Sequence, residues 1–401
     1  MYMSFLNEEK QYQKLFLAGI VNGIGDRFSS VAVLAMLLQL TGSGLAVGIT
    51  LAIRVLPSLF FGPIGGMLAD RFSRKTILVV TDLIRIVFAL SFIFVHSKED
   101  IWIIYVNSFI LAAGEAIYGP ARKSAIPQLI NKKHLVKVNS LEQVMLGIVL
   151  IIGALSGGII SAIFGPNVTF WFNALSFLGA AIINYTIRFP QNEGLKKVEK
   201  SENLISTFKK VILVSVSVQI LFFCEILIAT INGIDNVLIS VYAVKEYHLG
   251  DVGVGLFYGA LGIGLMLSFS IANRLRKNFL LTGLVCLLLE GIFHLLLSQT
   301  HFIVFSALMF CAAAFMSGIC NACFDTILMK EIPEYQQGTM FGLLATTGNT
   351  VLGISMFTSG FALQYLPPRS LGFIGGTAYI LIATFLIVII STKAYRNKGT
   401  V

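Results

Sequence analysis

The chain has 401 residues, of which 56% are hydrophobic and only 12% are charged, and its formal net charge is +9 at pH 7. Its length alone would suggest two or three soluble domains, but the long segments are apolar on every face, which excludes a soluble protein. The basic surplus could indicate a nucleic-acid partner. Lysines and arginines gather instead in short connectors between apolar runs, which excludes that partner as well.

Apolar runs of helix-spanning length follow one another along the chain. A bilayer core of ~30 Å needs about 20 apolar residues per helix, and lipid cannot satisfy bare backbone groups, so each run is predicted to be a transmembrane helix. The predicted fold class is an all-α membrane protein with twelve transmembrane helices. The predicted spans cover residues 14–40, 45–69, 76–96, 101–120, 138–164, 167–188, 211–242, 250–273, 279–298, 302–328, 338–365 and 372–391.

The connectors predict the orientation of these spans, because basic residues accumulate on the cytoplasmic side of a membrane. With both termini inside, most of the 29 lysines and arginines lie in inside segments, and the outside segments hold only Lys98, Lys245 and Arg369. We expect a multi-pass protein of the bacterial cytoplasmic membrane with both termini in the cytoplasm. Membrane lipids are its expected surroundings, and it is expected to be a monomer.

The two parts of the chain echo each other at a nearly constant offset. The segment Asn22–Ile24 in span one matches Asn232–Ile234 in span seven, and Ile126–Pro127 after span four matches Ile332–Pro333 after span ten. The common order of these matches predicts a duplication, and transporters of this architecture bind substrate between their halves. The predicted division is an N-terminal six-helix half over residues 1–189, a cytoplasmic linker over 190–210 and a C-terminal six-helix half over 211–401.

The connector between spans two and three carries the most specific motif. Residues 65–75 read GGMLADRFSRK, which resembles the G-x-x-x-D-R-x-G-R-K signature of the major facilitator superfamily, with Ser73 where the family has glycine. The resemblance implies a twelve-helix transporter in which the acid and the cations of this loop form a latch at the inward-facing gate. The alternative is that the cations serve only to orient the chain. The predicted gate residues are Gly66, Asp70, Arg71, Arg74 and Lys75.

Three further segments resemble the macrolide-efflux and siderophore-exporter branch of this superfamily. They are Gly25–Phe28 in span one, Gly114–Arg122 at the end of span four and Asn139–Leu141 in span five, and lysophospholipid transporters share parts of the pattern. Residues 153–158 in span five resemble the antiporter motif G-P-x-x-G-G, with Ala154 in place of proline. The alternative for these glycines is close helix packing.

Span one carries an acid near its centre, where a charge costs ~2.5–3.5 kcal/mol on insertion scales unless it is paired or faces water. Asp26 shares a face with Asn22, whereas Arg27 points about 100° away. We predict that Asp26 binds and releases the coupling proton. The alternative is a structural ion pair, for example with Arg54 in span two.

Span four carries the second candidate for proton coupling. Glu115 shares a face with Tyr118 and Arg122. It could line the central cavity, or it could form a structural bridge with Arg122, and the sequence supports both equally.

Span seven carries the third candidate. Glu225, Asn232 and Asn236 form one stripe, which must face protein or water because it would be costly in lipid. This stripe is predicted to contact substrate. Asp235 beside it is predicted to take part in proton coupling, with a role as an outer gate residue as the alternative.

Span ten completes the predicted substrate cavity. Asn321 and Asp325 share a face and could contact substrate, although Asp325 could instead cap the inner helix end against Lys330. The cavity is predicted to be lined by Asn22, Arg27, Arg54, Tyr118, Glu225, Asn232, Asn321 and Asp325.

Two other polar pairs inside spans are predicted to be structural. Asp82 and Arg85 in span three are three residues apart and are expected to form a local ion pair. Glu290 and His294 in span nine share a face and are expected to be joined by a structural hydrogen bond.

The sequence lacks the motifs of catalysis and of nucleotide binding. Cys320 and Cys323 have neither a second pair nor a neighbouring histidine to complete four ligands, so we expect no metal and no cofactor. There is no phosphate-binding G-x-x-x-x-G-K-[ST] loop and no Ser-His-Asp arrangement, so the protein is not expected to be an enzyme.

The expected function is therefore secondary active transport. We predict a proton-coupled exporter of drug-like or amphipathic small molecules that works by alternating access. Its expected partners are a small-molecule or lipid-like substrate and protons. A lipid or lysophospholipid flippase is one alternative, and a channel or passive facilitator is another.

Overall fold

The computed structural model describes residues 9–41, 44–153, 156, 160–161, 163–189 and 216–398. The predicted linker at residues 190–210 lies outside these residues, as do Ala154 and residues 157–158 of the antiporter motif. Within the described ranges the chain forms twelve long α-helices and no β-strand, which confirms the predicted all-α class.

The helices follow the predicted spans in order. Ten helical segments of the described chain are long and apolar enough to cross a membrane. The helix Leu135–Ile148 is followed by a π-helical turn over Val149–Gly153, which interrupts the helix predicted to run continuously to residue 164. The helices are Lys10–Thr41 (α1), Gly44–Arg71 (α2), Arg74–Ser91 (α3), Ile101–Leu129 (α4), Leu135–Ile148 (α5), Pro166–Tyr185 (α6), Val216–Val241 (α7), Gly250–Ala272 (α8), Phe279–Gln299 (α9), Ile303–Glu331 (α10), Gln337–Ala362 (α11) and Pro368–Lys398 (α12).

Two of these helices contain internal prolines, which a helix in water rarely tolerates. Pro57 and Pro63 lie within α2, and Pro120 and Pro127 lie within α4. Each proline removes one backbone hydrogen bond. In a membrane protein, neighbouring helices and small local adjustments satisfy the freed groups, so both helices continue through their prolines.

The described chain packs into two compact units. Unit 1 contains α1 to α4, α6 and the beginning of α11, whereas unit 2 contains most of α5, α7 to α10, α12 and the rest of α11. The predicted division into two halves at residues 190–210 stays a prediction. Unit 1 draws on residues 1–133, 148–214 and 332–350, and unit 2 draws on residues 134–147, 215–331 and 351–401.

Each unit has its own apolar core. In unit 1, the ring centroids of Phe92 and Phe170 lie 5.1 Å apart among buried side chains of α1, α3, α4 and α6. In unit 2, the centroids of Phe257 and Phe310 lie 5.0 Å apart among buried side chains of α7 to α10 and α12. The helices that carry the polar side chains described below pack against one another through these two cores.

One helix crossing in unit 2 leaves no room for a side chain. A Cβ added at Gly264 on α8 would lie 2.1 Å from the backbone oxygen of Cys311 on α10. We expect Gly264→Ala to lower the free energy of unfolding by about 1–3 kcal/mol, because backbone atoms must shift. Gly259→Ala on the same helix is the matched control, since a Cβ there meets no described atom within 4 Å. Thermal unfolding in detergent checks this prediction, and equal midpoints for the two variants would contradict it.

Candidate functional site

A buried arginine stands at the centre of the polar side chains of unit 1. The Arg85 side chain, on α3, is 1% exposed. Its Nη2 lies 3.4 Å from Asp26 Oδ1 and its Nη1 lies 3.0 Å from Glu115 Oε2. The Phe177 ring covers the guanidinium at 4.2 Å, and Gly114 leaves room for the arginine stem, which a Cβ there would approach to 3.0 Å. Two carboxylates, from α1 and α4, therefore share one guanidinium.

Side-chain amides extend this cluster toward α6. Asn22 Nδ2 donates to Asp82 Oδ1 at 2.7 Å, and Asn22 Oδ1 accepts from Arg85 Nη1 at 3.4 Å. Asn184 Nδ2 donates to the other oxygen of Asp82 at 3.0 Å and to the Tyr118 hydroxyl at 3.4 Å. Asn22 thus links Asp82 to Arg85, and Tyr118 is connected to the same network through Asn184.

A second arginine approaches Asp26 from α2. Arg54 Nη2 lies 3.5 Å from Asp26 Oδ2, and Arg54 Nη1 donates to the Ser30 hydroxyl. The ion pair that the sequence offered as the alternative role of Asp26 is therefore present. Arg27 lies on the exposed side of α1. A small cavity of about 10 Å³ beside this pair is lined by Asp26, Ser29, Ser30, Arg54, Phe92, Ser108 and Leu111.

The predicted gate motif meets the first turn of α11 within unit 1. Asp70 accepts hydrogen bonds from the backbone N–H of Gly338 at 2.8 Å and from the backbone N–H and the hydroxyl of Thr339, both at 2.7 Å. α11 begins at Gln337, so these N–H groups have no partner inside the helix, and its positive dipole end faces the carboxylate. The backbones touch, since a Cβ at Gly66 would lie 2.4 Å from the oxygen of Gly338. Asp70 therefore caps α11.

Arg74 follows Asp70 by four residues, on the far side of the short connector between α2 and α3, and it is buried. Its Nε donates to Ser124 Oγ at 3.1 Å, and its Nη2 donates to the backbone oxygen of Glu334 at 3.0 Å. The same Nη2 lies 3.9 Å from Asp70 Oδ1. Arg74 thus joins α4 to the segment that precedes α11.

The other two cations of the motif lie apart from Asp70. Lys75 Nζ sits 4.8 Å from the centroid of the Tyr185 ring on α6, and Arg71 is exposed. Of the five predicted gate residues, the structure brings together Gly66, Asp70 and Arg74.

Asp70→Asn is expected to slow transport about tenfold, which corresponds to ~1.4 kcal/mol. An amide replaces one acceptor oxygen with a donor that faces the N–H groups of α11, and hydrogen bonds to a charged group contribute more than neutral ones. Initial rates of substrate transport in proteoliposomes measure the effect. Glu99→Gln, which changes an exposed acid before α4, is the matched control. A wild-type rate for Asp70→Asn would show that the cap plays no part in the transport cycle.

Unit 2 holds a second buried polar cluster, on α7, α9, α10 and α12. Asp235 Oδ2 lies 3.2 Å from His294 Nε2, and the imidazole stacks on the Tyr379 ring with centroids 6.0 Å apart. Glu290 is buried one turn before His294 on the same helix. The predicted bond between Glu290 and His294 is wrong, because His294 pairs with Asp235 on α7 and Glu290 Oε2 has no hydrogen-bond partner among the described residues.

The remaining predicted cavity residues in unit 2 lie on α7 and α10. Asn236 Nδ2 donates to the backbone oxygen of Asn232 at 2.7 Å, and the Tyr258 hydroxyl donates to Asn236 Oδ1 at 3.3 Å. Their part in a substrate cavity stays a prediction. Three further members are half-buried: Glu225, Asn321 and Asp325.

Arg85 is the central residue that sequence reasoning missed. Its predicted ion pair with Asp82 is wrong, because Arg85 reaches acids on α1 and α4 whereas Asp82 accepts hydrogen bonds from two amides. Glu115 pairs with Arg85, and Arg122 adds electrostatic attraction. The available signal was an arginine in the middle of an apolar span, where a charge must pair with another group or face water.

Comparisons with known proteins agree on one family. A model of the Major Facilitator Superfamily matches residues 15–358. The uncharacterized MFS-type transporter YfiS of Bacillus subtilis (strain 168) is 24% identical over 97% of this chain and 95% of its own length. Macrolide efflux protein A of Streptococcus pyogenes is 23% identical over 94% of this chain and 95% of its own length.

Among solved structures, the human organic anion transporter MFSD10 (TETRAN) superposes with a TM-score of 0.81 at 12% identity, over 94% of this chain and 99% of that one. At this identity the likeness shows a shared fold. The family match covers most of the chain and confirms both the predicted family and the predicted twelve-helix fold. The chain belongs to the Major Facilitator Superfamily, whose members are multi-pass membrane transporters of small molecules and not enzymes.

Proposed function

We propose that this transporter is a proton-coupled exporter of drug-like or amphipathic small molecules and that it works by alternating access. The observation that carries the proposal is the contact of one buried guanidinium, that of Arg85, with the two acids Asp26 and Glu115. The proposal includes a location in the bacterial cytoplasmic membrane with both termini inside, as the distribution of basic residues supports.

The physical argument concerns the charge of Arg85. A guanidinium inside a bilayer needs a carboxylate to neutralise it. Because two carboxylates meet Arg85, one of them can accept a proton while the other keeps the guanidinium paired. The side chains of Asp26 and Glu115 are 27% and 54% exposed, whereas that of Arg85 is 1% exposed, so the acids are the more accessible members of the cluster.

Protonation would change the packing that the helices prefer. A proton on Asp26 would weaken the link between α1 and α3, and a proton on Glu115 would weaken the link between α4 and α3. A ligand shifts a conformational equilibrium by its difference in affinity for the two states, and a proton acts in the same way. Asp26 and Glu115 are therefore the proposed coupling residues. The prediction that Asp235 also takes part stays a prediction.

A membrane potential supplies enough energy for useful export. Moving one elementary charge across 100 mV releases ~2.3 kcal/mol, which sustains a concentration ratio of roughly 40. The name of one relative supports export of drug-like compounds, since macrolide efflux protein A aligns with 94% of this chain. The contact of Asp70 with α11 supplies a gate that can break and re-form, because it consists of a few hydrogen bonds at helix ends.

Proteoliposomes test this proposal and separate it from the alternatives. The probe is labelled erythromycin, a macrolide chosen because one relative is named macrolide efflux protein A. An imposed pH gradient is expected to accumulate it beyond the level in protein-free liposomes, where protonation of its amine alone traps it on the acidic side, and a protonophore is expected to abolish the accumulation. A channel would accumulate erythromycin no further than protein-free liposomes do. A flippase would move a fluorescent lysophospholipid between leaflets and leave erythromycin untouched. Either of these last two results would overturn the proposal.

A further inference from the structure

The buried cluster on α9 takes no part in the mechanism proposed above. Glu290 and His294 lie four residues apart on one face of α9, and α9 packs against α10 and α12. The packing is tight, since a Cβ added at Gly291 would lie 2.6 Å from the Cβ of Tyr379 on α12. Packing this tight around Glu290 and His294 leaves space only for a very small ligand.

One of the two acids in the cluster has a fixed partner. Asp235 Oδ2 lies 3.2 Å from His294 Nε2, and the imidazole, which is 5% exposed, stacks on the ring of Tyr379. The imidazole gives the buried Asp235 carboxylate a polar partner, as a buried acid requires. Asp235 and His294 therefore satisfy each other.

The other acid has no cation. Glu290 is 3% exposed, and its Oε2 has no hydrogen-bond partner among the described residues. The negative charge of Asp235 acts against a second negative charge on Glu290. A carboxylate that is buried without a cation and with an oxygen left unsatisfied is strongly disfavoured. A bound proton removes that charge and converts the carboxylate into a hydrogen-bond donor.

The groups that surround the cluster offer no substitute for the proton. Among the described residues, no lysine or arginine forms an ion pair with Glu290 or Asp235, and no three metal-binding side chains converge as a metal site. The titratable groups that face the cluster are Cys224, Glu225 and Asp235 on α7, Cys286 and His294 on α9, Cys320 and Cys323 on α10, and Tyr379 on α12.

We propose that Glu290, Asp235 and His294 form a proton-binding site inside unit 2, in which His294 pairs with Asp235 and Glu290 holds one proton. The site is separate from Asp26 and Glu115, which lie in unit 1. Its use in transport rests on the function proposed above, whereas proton binding itself does not.

Infrared difference spectroscopy of the purified protein in lipid vesicles tests the proposal without substrate and without a gradient. The wild-type protein is expected to show C=O stretching absorption from buried carboxylic acid at neutral pH, and Glu290→Gln is expected to lower it by the contribution of one acid. Glu331→Gln, which changes an exposed acid at the end of α10, is the matched control and is expected to leave the absorption unchanged. Unchanged absorption in Glu290→Gln would overturn the proposal.

His294→Gln provides a second test that retains Glu290 and applies even if Glu290→Gln fails to fold. Removing the imidazole takes the partner from Asp235 and leaves a second buried acid unpaired, so a second carboxylic acid band is expected to appear. Absence of any new band would contradict the assigned role of His294. Neither infrared measurement involves transport. If the proposal of proton-coupled export is wrong, only the transport assays fail, and if this proton-binding site is wrong, the infrared measurements fail.

Discussion

Arg85→Gln is expected to abolish transport and to lower the free energy of unfolding by about 3–5 kcal/mol. The substitution removes the cation that Asp26 and Glu115 share and leaves two acids without their common partner. It also removes the bond to Asn22, so the amide link to Asp82 is disturbed as well. Erythromycin transport in proteoliposomes and thermal unfolding in detergent measure the two effects.

Two comparisons sharpen this prediction. Arg276→Gln, which changes an exposed arginine between α8 and α9, is expected to have little effect on either quantity. Arg85→Lys keeps the charge but offers a point-like ammonium in place of a fork, so it is expected to fold and to transport slowly. A folded Arg85→Gln protein with wild-type transport would exclude Arg85 from the mechanism.

Neutralising both Asp26 and Glu115 is expected to lower the free energy of unfolding by more than the sum of the two single changes. Asp26→Asn leaves Arg85 paired with Glu115, and Glu115→Gln leaves it paired with Asp26, so each single variant is expected to fold and to lose its response to a pH gradient. The double variant strands the guanidinium without either acid. We expect an interaction energy of about 1–3 kcal/mol in a double-mutant cycle on unfolding.

A matched cycle checks that this coupling belongs to the shared arginine. The control cycle combines Asp26→Asn with Glu99→Gln, which changes an exposed acid before α4. The effects of these two substitutions on the free energy of unfolding are expected to add. If the cycle of Asp26 with Glu115 were also additive, the two acids would not compete for one cation, and the competition argument for proton coupling would be wrong.

The helices and their order could be predicted from the sequence because the signal is strong. Runs of about 20 apolar residues have one structural solution in lipid, and twelve such runs set the class of the fold. The break after α5 was not predictable in the same way. The π-helical turn at Val149–Gly153 keeps the apolar composition of its surroundings, so hydropathy alone does not reveal it.

The polar contacts were harder to predict because helical periodicity shows only which residues share a face. Asp82 and Arg85 are three apart, and this spacing favoured a local pair. An arginine side chain is long enough to reach neighbouring helices, and only the packing of α1, α3 and α4 determines that Asp26 and Glu115 lie within its range. Likewise, no motif in the sequence paired Asp235 with His294.

The residues of the gate motif could be predicted from the sequence, but the partners of Asp70 could not. Its likeness to the superfamily signature identified Asp70 and Arg74, and both make contacts with the residues at and before the start of α11. The principal partners of Asp70 are not the loop cations but the N–H groups of Gly338 and Thr339. Backbone donors at a helix start carry no side-chain signature, so the sequence could not show them.

The most direct test of the account is the movement of protons that substrate drives. Proteoliposomes that contain a pH-sensitive dye are exposed to an erythromycin gradient without any imposed pH gradient. The account predicts a pH change inside wild-type vesicles, and a loss of that change in Asp26→Asn and in Glu115→Gln while both proteins remain folded. Undiminished proton movement in both variants would contradict the claim that acids sharing Arg85 carry the coupling proton.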